Sequence, residues 1–302
     1  MSRRVLFLFW DGVGLGPPGH ENPLDAPWPA LERLAGGQRW TAGVEPVRRP
    51  RHVFVPLDAT LGVDGLPQSG TGQAALFTGE NAARLHGRHF GPYPPTTVRD
   101  AVARRSVFAR LVAAGVPAGR LAFANAYPDR FFRHLDGGGR PTVTTLAARS
   151  AGVRLRWSAD LEAGRALAAD LTGETWRRLL DPAHRPISEA EAARRLAALL
   201  DDHVFVLSEF FLTDKAGHSR DPDRARAVLG ALDRFTGALL EGLDADRDLL
   251  VVTSDHGNLE SLETKTHTRN PVPLVALGPG ADAFADARSL LDVAPRVVAA
   301  LG

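Results

Sequence analysis

The chain contains no cysteine. This excludes disulfides, thiolate catalysis and Cys-ligated zinc, and leaves histidine and carboxylate as the strong metal donors. It is compatible with a reducing compartment, and a cytoplasmic location is expected. An excess of one charge is missing too: 36 basic residues stand against 35 acidic ones, for a net charge of +1. No overall field therefore gathers nucleic acid or an anionic membrane, and neither is expected as a partner. Long apolar runs are also lacking. Two arginines precede Val5-Leu6-Phe7-Leu8-Phe9-Trp10 in the manner of a signal peptide, but the run ends at Asp11-Gly12. It is too short for a signal core or a membrane span and reads as a first strand. Lysine is scarce, with Lys215 and Lys265 the only two among the 36 basic residues, and both lie inside the motifs described next.

What is present is ample apolar material. With 302 residues, 44% of them hydrophobic, the chain can bury a large core as one domain with an insertion. Asp248-Leu249-Leu250-Val251-Val252 is short, apolar and β-branched at its end, as in a strand buried on both faces. It runs into Thr253-Ser254-Asp255-His256-Gly257-Asn258, and a loop carrying Lys265-Thr266-His267-Thr268-Arg269-Asn270 follows. The first strand runs likewise into Asp11-Gly12-Val13-Gly14, and Val204 to Thr213 reads as a third strand leading to Asp214-Lys215-Ala216-Gly217-His218. The spacing of four between Asp214 and His218 lets both reach one side of a helical turn or tight loop.

Open α/β sheets bind ligands outside the carboxyl ends of their strands. Asp11, Asp214, Asp255, His218, His256 and His267 all fall at that predicted edge, although they come from loops distant in sequence. A seventh ligand lies in Gln68-Ser69-Gly70-Thr71-Gly72-Gln73, where small residues give way to an apolar helical segment. Ser69 or Thr71 would stand at a helix start, where free N–H groups attract an anion; a plain helix cap is the other reading of either hydroxyl. Seven donors exceed what one tetrahedral ion uses and suit two ions about 3.5–4 Å apart, clamping a phosphoryl group.

Between Pro92 and Leu200 the pattern is helical around one strand, Leu121-Ala122-Phe123-Ala124, with Asn125 at its end. Val107 to Val112 and Glu189 to Leu200 read as helices, and Gly137-Gly138-Gly139 as a surface turn. His134 and His184 have no ligand-spaced neighbours and read as surface or packing residues. Val228, Leu232, Phe235 and Leu239 form the apolar stripe of a later helix, started by Asp221-Pro222.

Together these motifs resemble the metal-dependent branch of the alkaline phosphatase superfamily, nearest to cofactor-independent phosphoglycerate mutase and phosphopentomutase. The resemblance covers the two ends of the chain. It implies a three-layer α/β/α sandwich with a mostly parallel central sheet. It also implies one metal held by Asp11, Ser69, Asp255 and His256 and a second held by Asp214, His218 and His267, either Mn²⁺ or Zn²⁺. Ser69 matches the family's nucleophile because it precedes Gly72 by three, which makes Thr71 the alternative. Arg88, Asn125, Lys215 and Arg269 are candidate substrate contacts.

Two departures bear on the reaction. Gln73 stands where the mutases usually have His, and the stretch from Glu80 to His203 leaves room only for a reduced cap, within 126–200. A mutase must retain an intermediate under a reorienting cap. The expectation is therefore two-metal phosphoryl transfer from a small phosphorylated metabolite through phospho-Ser69, ending in hydrolysis. A phosphomutase acting on phosphoglycerate or a pentose phosphate is the alternative, and a non-catalytic metal-binding protein the second. A sulfatase could use the same frame, but no cysteine exists to become its oxidised nucleophile.

Overall fold

The computed structural model describes residues 3–302. Among them nine strands are found: β1 Arg4–Trp10, β2 Val47–Arg49, β3 His52–Leu57, β4 Leu121–Phe123, β5 Ala126–Tyr127, β6 Arg156–Trp157, β7 Phe205–Phe210, β8 Asp248–Thr253 and β9 Val272–Leu277. Seven of them form one sheet in the order β2-β3-β9-β8-β1-β7-β4. Strand β1 is buried along its whole length because helices cover both faces of the sheet. Val5, Phe7 and Phe9 point into one core, while Leu6, Leu8 and Trp10 point into the other. The first core is roofed by the helices Ser69–Thr78, Thr96–Arg105, Val143–Ser150 and Val293–Leu301, the second by Glu189–Asp202 and Pro222–Gly242.

The sheet is mixed, which corrects the expectation of a mostly parallel one. β8, β1, β7 and β4 run parallel, whereas β9 is antiparallel to both β8 and β3, and β2 is antiparallel to β3. Strand β9 follows the His267 loop with no crossover helix, so it returns antiparallel beside β8. This reversal places the start of β9 at the edge where β1, β7 and β8 end. His267, just before β9, thereby joins the aspartates that follow the other strands.

Two long helices are started by local chemistry. Asp221 accepts hydrogen bonds from the Asp223 and Arg224 amides with Pro222 in the first turn, and Ser188 accepts from the Glu191 amide. On the other face, Phe77 packs edge-on against Phe7 and Phe9, with centroids 5.6 and 5.5 Å apart, and so fixes the helix that begins at Ser69. Truncating Phe77 to Ala would cost about 3–5 kcal/mol and loosen that helix.

The third expected strand ends at Phe210, and residues Leu212–Ser219 are a helix, so Asp214 and His218 share a helical face. Strands β5 and β6 pair with each other in a separate two-stranded sheet, beside a small cluster of Ala126, Leu161, Ala166, Ala168 and Trp176. Each is two residues long and carries no readable alternation. No helix among the described residues is long and apolar enough to cross a membrane.

Candidate active site

The parallel strands β1, β7 and β8 deliver the three aspartates to one edge. Asp11 directly follows β1, Asp255 follows β8 after one residue, and Asp214 lies in the first turn of the helix after β7. Gly12 makes this possible, since it takes φ +69° and a Cβ there would lie 2.8 Å from Asp214 Oδ1. Gly72 does the same for the helix of Ser69, where a Cβ would come 2.9 Å from the Asp255 carbonyl oxygen.

Three oxygens converge on one nitrogen. His256 Nε2 lies 3.0 Å from Ser69 Oγ, 3.3 Å from Asp11 Oδ1 and 3.4 Å from Asp255 Oδ2. A single ring nitrogen can satisfy one of them at most, and both Asp11 Oδ1 and Asp255 Oδ2 are buried with no hydrogen-bond donor. His256 Nδ1 is also buried and unpartnered, so no third group orients this imidazole as the base of a serine triad.

The second group has the same character. His218 Nδ1 and His267 Nδ1 each lie 2.7 Å from a backbone carbonyl, of Lys265 and Pro67 respectively. Donating there puts the proton of each neutral ring on Nδ1 and leaves Nε2 as a lone pair. The two Nε2 atoms nevertheless face each other at 3.2 Å, with Asp214 Oδ2 3.3 Å from that of His218 and Asp214 Oδ1 3.6 Å from that of His267. Lone pairs pointed at one another call for a cation between them.

Two candidate metal-binding groups are thus present, Asp214, His218 and His267 in one and Asp11, Asp214 and His256 in the other, each with donor atoms within 4.8 Å of one another. Asp214 faces both groups, whereas the sequence motifs placed it in only one.

The electrostatics fit divalent cations. Burial holds the Asp11 carboxyl well above the usual carboxylate range, with Asp255 and Asp214 adding to the effect, and burial beside Asp214 pushes Asp255 up to about 8. Burial, with His267 close by, keeps His256 well below the ordinary imidazole value, and burial also lowers His267. Among the described residues, the ion pairs of Asp11, Asp214 and Asp255 are with histidines alone. The acids can all ionise only if positive charge is added from outside the chain, and mixed imidazole–carboxylate donors suit Mn²⁺ and Zn²⁺ alike.

The two hydroxyls of the glycine-rich loop differ. Ser69 is the first helical residue, and the cap position is Gln68, which makes no side-chain cap hydrogen bond. Thr71 is fully buried, and its Oγ1 accepts from the Phe90 amide at 3.1 Å and donates toward the Phe90 and Gln68 carbonyls. Its hydroxyl is used in joining two loops, while that of Ser69 faces the imidazole.

A cavity of about 570 Å³ opens from Asp11, Ser69 and Asp214. Lys215 and Asn125 line it, but Arg88 and Arg269 do not. Arg88 lies over the Phe90 ring beside a separate depression, and Arg269 donates to the Gly65 carbonyl at 3.0 Å. The Asn125 amide is spent on the Glu209 backbone, donating to its carbonyl at 2.7 Å and accepting from its N–H at 2.8 Å. Gln73 also lines the cavity, and its Nε2 is 3.5 Å from Asp11 Oδ2. His134 is exposed, and His184 packs near the Trp176 ring, both away from the metal groups.

Sequence reasoning missed Glu260. It is buried, and its carboxylate accepts from the Gly14 amide at 2.9 Å, the Asn258 amide at 2.8 Å, the Asn270 side chain at 3.0 Å and the Thr268 hydroxyl. One side chain thereby ties together the loops that carry Asp11, His256 and His267. Its position two residues after Asn258 was the available signal. Asn258 and Thr213 support the same edge, Asn258 donating to Asp214 Oδ1 at 2.6 Å and Thr213 to the Asp11 carbonyl at 2.6 Å.

Comparisons with known proteins agree with this geometry. A family model described as the Metalloenzyme superfamily matches residues 182–302. The 2,3-bisphosphoglycerate-independent phosphoglycerate mutase of Pyrococcus abyssi is 31% identical over 93 residues, 31% of this chain and 22% of that protein. Its counterpart in Halobacterium salinarum is 32% identical over 159 residues, 47% of this chain and 31% of that protein. The matched stretches thus span less than a third of these relatives' length.

Among solved structures, a Pyrococcus horikoshii protein aligns over 100% of this chain and 97% of its own, with TM-score 0.60 and 16% identity. The alkaline phosphatase of the Antarctic bacterium TAB5 aligns over 100% and 99%, with TM-score 0.57 and 12% identity. Such likeness shows the fold alone. With the shared motifs and the convergent donors, residues 182–302 match the Metalloenzyme superfamily, and the chain is similar in sequence to the cofactor-independent phosphoglycerate mutases.

Proposed function

We propose that the chain is a two-metal phosphoryl-transfer enzyme of phosphomutase type. The phosphoryl group of a small phosphate monoester passes to Ser69 and is returned to a second hydroxyl of the same molecule. The observation that carries this reading is Ser69 Oγ, 3.0 Å from His256 Nε2, lining a cavity of about 570 Å³. The mutase names of the sequence relatives favour return of the group over its loss to water. We assign Asp11, Ser69, Asp255 and His256 to one ion and Asp214, His218 and His267 to the other.

When bound, the two divalent ions supply the charge that lowers the hydroxyl pKa and neutralises the transferring group. Ser69 Oγ gives up its proton and attacks phosphorus; the Ser69 O–P bond forms as the bond to the substrate oxygen breaks, and that oxygen takes up the proton. The second hydroxyl then gives up a proton and attacks phospho-Ser69, restoring the serine. Glu209 lies on the cavity wall, and burial pushes its carboxyl up to about 7, which suits it to hold and release that proton near neutral pH. The small substructure around β5 and β6 serves as the cap, holding the released molecule while it turns.

Hydrolysis is the second reading, favoured by the shortness of the elements that form this cap. Phosphorus NMR on the Mn²⁺-loaded protein with diol monophosphates separates the two. Accumulation of the positional isomer ahead of inorganic phosphate is the expected result, and phosphate release without isomer would replace the mutase reading with hydrolysis.

A further inference from the structure

The part of the cavity lining supplied by residues 125–180 is built differently from the metal edge. Two of its polar side chains are already engaged within the protein. The Asp170 carboxylate accepts from the Gly173 amide at 2.8 Å and the Thr175 amide at 2.5 Å. Both functions of the Asn125 amide are used on the Glu209 backbone. Trp176, Leu179 and Leu180 add an apolar stretch to the lining, which also carries Tyr127, Arg130, Thr142 and Thr175. Leu179 is 59% exposed at the rim, one of few large apolar side chains left in solvent, while Trp176 is only 8% exposed beneath it.

Asp170 and the exposed Arg130 lie on this stretch, and the exposed Lys215 is the other cation that lines the cavity. Lys215 Nζ sits 4.5 Å over the Phe211 ring, next to Asp214 and hence on the metal side. A substrate bearing several hydroxyls would strand those that fall against Trp176, Leu179 and Leu180, at a cost that a polar site would avoid. A volume of about 570 Å³ lies within the range of small-molecule pockets and exceeds what a three-carbon ester fills.

We propose that the cavity takes a diol monophosphate whose remaining body is alkyl or aryl, seated against Trp176, Leu179 and Leu180, and not a phosphoglycerate or a pentose phosphate. The assignment rests on the reading of the metal edge as the phosphoryl-transfer site, and the test keeps the two apart. Binding is measured by calorimetry on the Mn²⁺-loaded Ser69→Ala protein, which cannot turn over. The monophosphate of 1-phenyl-1,2-ethanediol should bind at least about tenfold more tightly than 3-phosphoglycerate or ribose 5-phosphate. Leu179→Arg, at an exposed position where the fold is not at stake, should reverse the preference toward 3-phosphoglycerate. Equal or tighter binding of 3-phosphoglycerate by the parent protein, or an unchanged preference in Leu179→Arg, would overturn the assignment. Phosphoserine formation by the wild-type protein is followed separately with all three esters; its absence with every one would refute the transfer reaction, while the binding order would still decide the ligand class.

Discussion

The two ends of the cavity make opposite use of polar atoms. At the metal edge, Asp11 Oδ1 and Asp255 Oδ2 are buried without donors and the Nε2 atoms of His218 and His267 face each other. Elsewhere in the lining, Asn125 and Asp170 are satisfied by the protein itself. Unsatisfied groups gathered in one place cost free energy unless a ligand completes them, whereas a satisfied wall asks nothing polar of its ligand. The first end thus suits cations, and the second suits the apolar body that we propose for the ligand.

The largest effect that could break this contrast comes from the nucleophile. Ser69→Ala should lower kcat by at least about 10³-fold in a phosphoryl-transfer assay with Mn²⁺, because it removes the hydroxyl that lies 3.0 Å from His256 Nε2. Activity within tenfold of wild type would remove Ser69 from the mechanism. Next come the ligands: His256→Ala and His218→Ala should each lose close to one of two bound ions by elemental analysis. A single ion in wild type, unaffected by either change, would contradict the two groups.

Glu260→Gln sharpens the contrast in another way. The amide nitrogen would face backbone donors at Gly14 or Asn258, loosening the loops of both groups at once. Mn²⁺ affinity should fall about 10–100-fold at both sites, as for other groups that orient metal ligands. Loss confined to one site would show that Glu260 does not link them.

The smallest effect is on stability. A buried acid whose folded pKa is raised holds its proton after the unfolded chain has lost it, so stability falls as pH rises from the unfolded to the folded value. For Asp255, with a folded value of about 8, the metal-free protein should lose stability from about pH 4 to pH 8. Mn²⁺ should raise the melting temperature more at pH 8 than at pH 5. Glu209, raised to about 7 by burial, contributes over the lower part of the range, up to about 3 kcal/mol, and Glu209→Gln should flatten that part of the curve. A metal-free protein more stable at pH 8 than at pH 5 would contradict the burial of unpaired acids.

How much was legible in the sequence follows the same division. The donors could be read because metals demand particular side chains, and apolar runs announced the strand ends that carry Asp11 and Asp255. Strand direction could not be read, since Val272–Leu277 is as apolar as β1 whichever way it runs. Choosing between Ser69 and Thr71 from local chemistry was impossible as well, because it is the distant Phe90 backbone that occupies the Thr71 hydroxyl. Asn125 looked like a substrate contact for the same reason: a polar residue at a strand end is visible in sequence, but its partner at Glu209 is not. The part of the lining from residues 125–180 was hidden because two-residue strands and single apolar side chains form no pattern.

The most direct test of the central claim is the location of the covalent phosphate. Wild-type protein, loaded with Mn²⁺ and quenched during turnover of a phosphate monoester, should carry phosphate on Ser69 by peptide mass spectrometry. Thr71→Val should retain that phosphate, and chelation of the metal should abolish it. Phosphate on Thr71, or a phosphoenzyme that forms unchanged in the presence of chelator, would contradict the account.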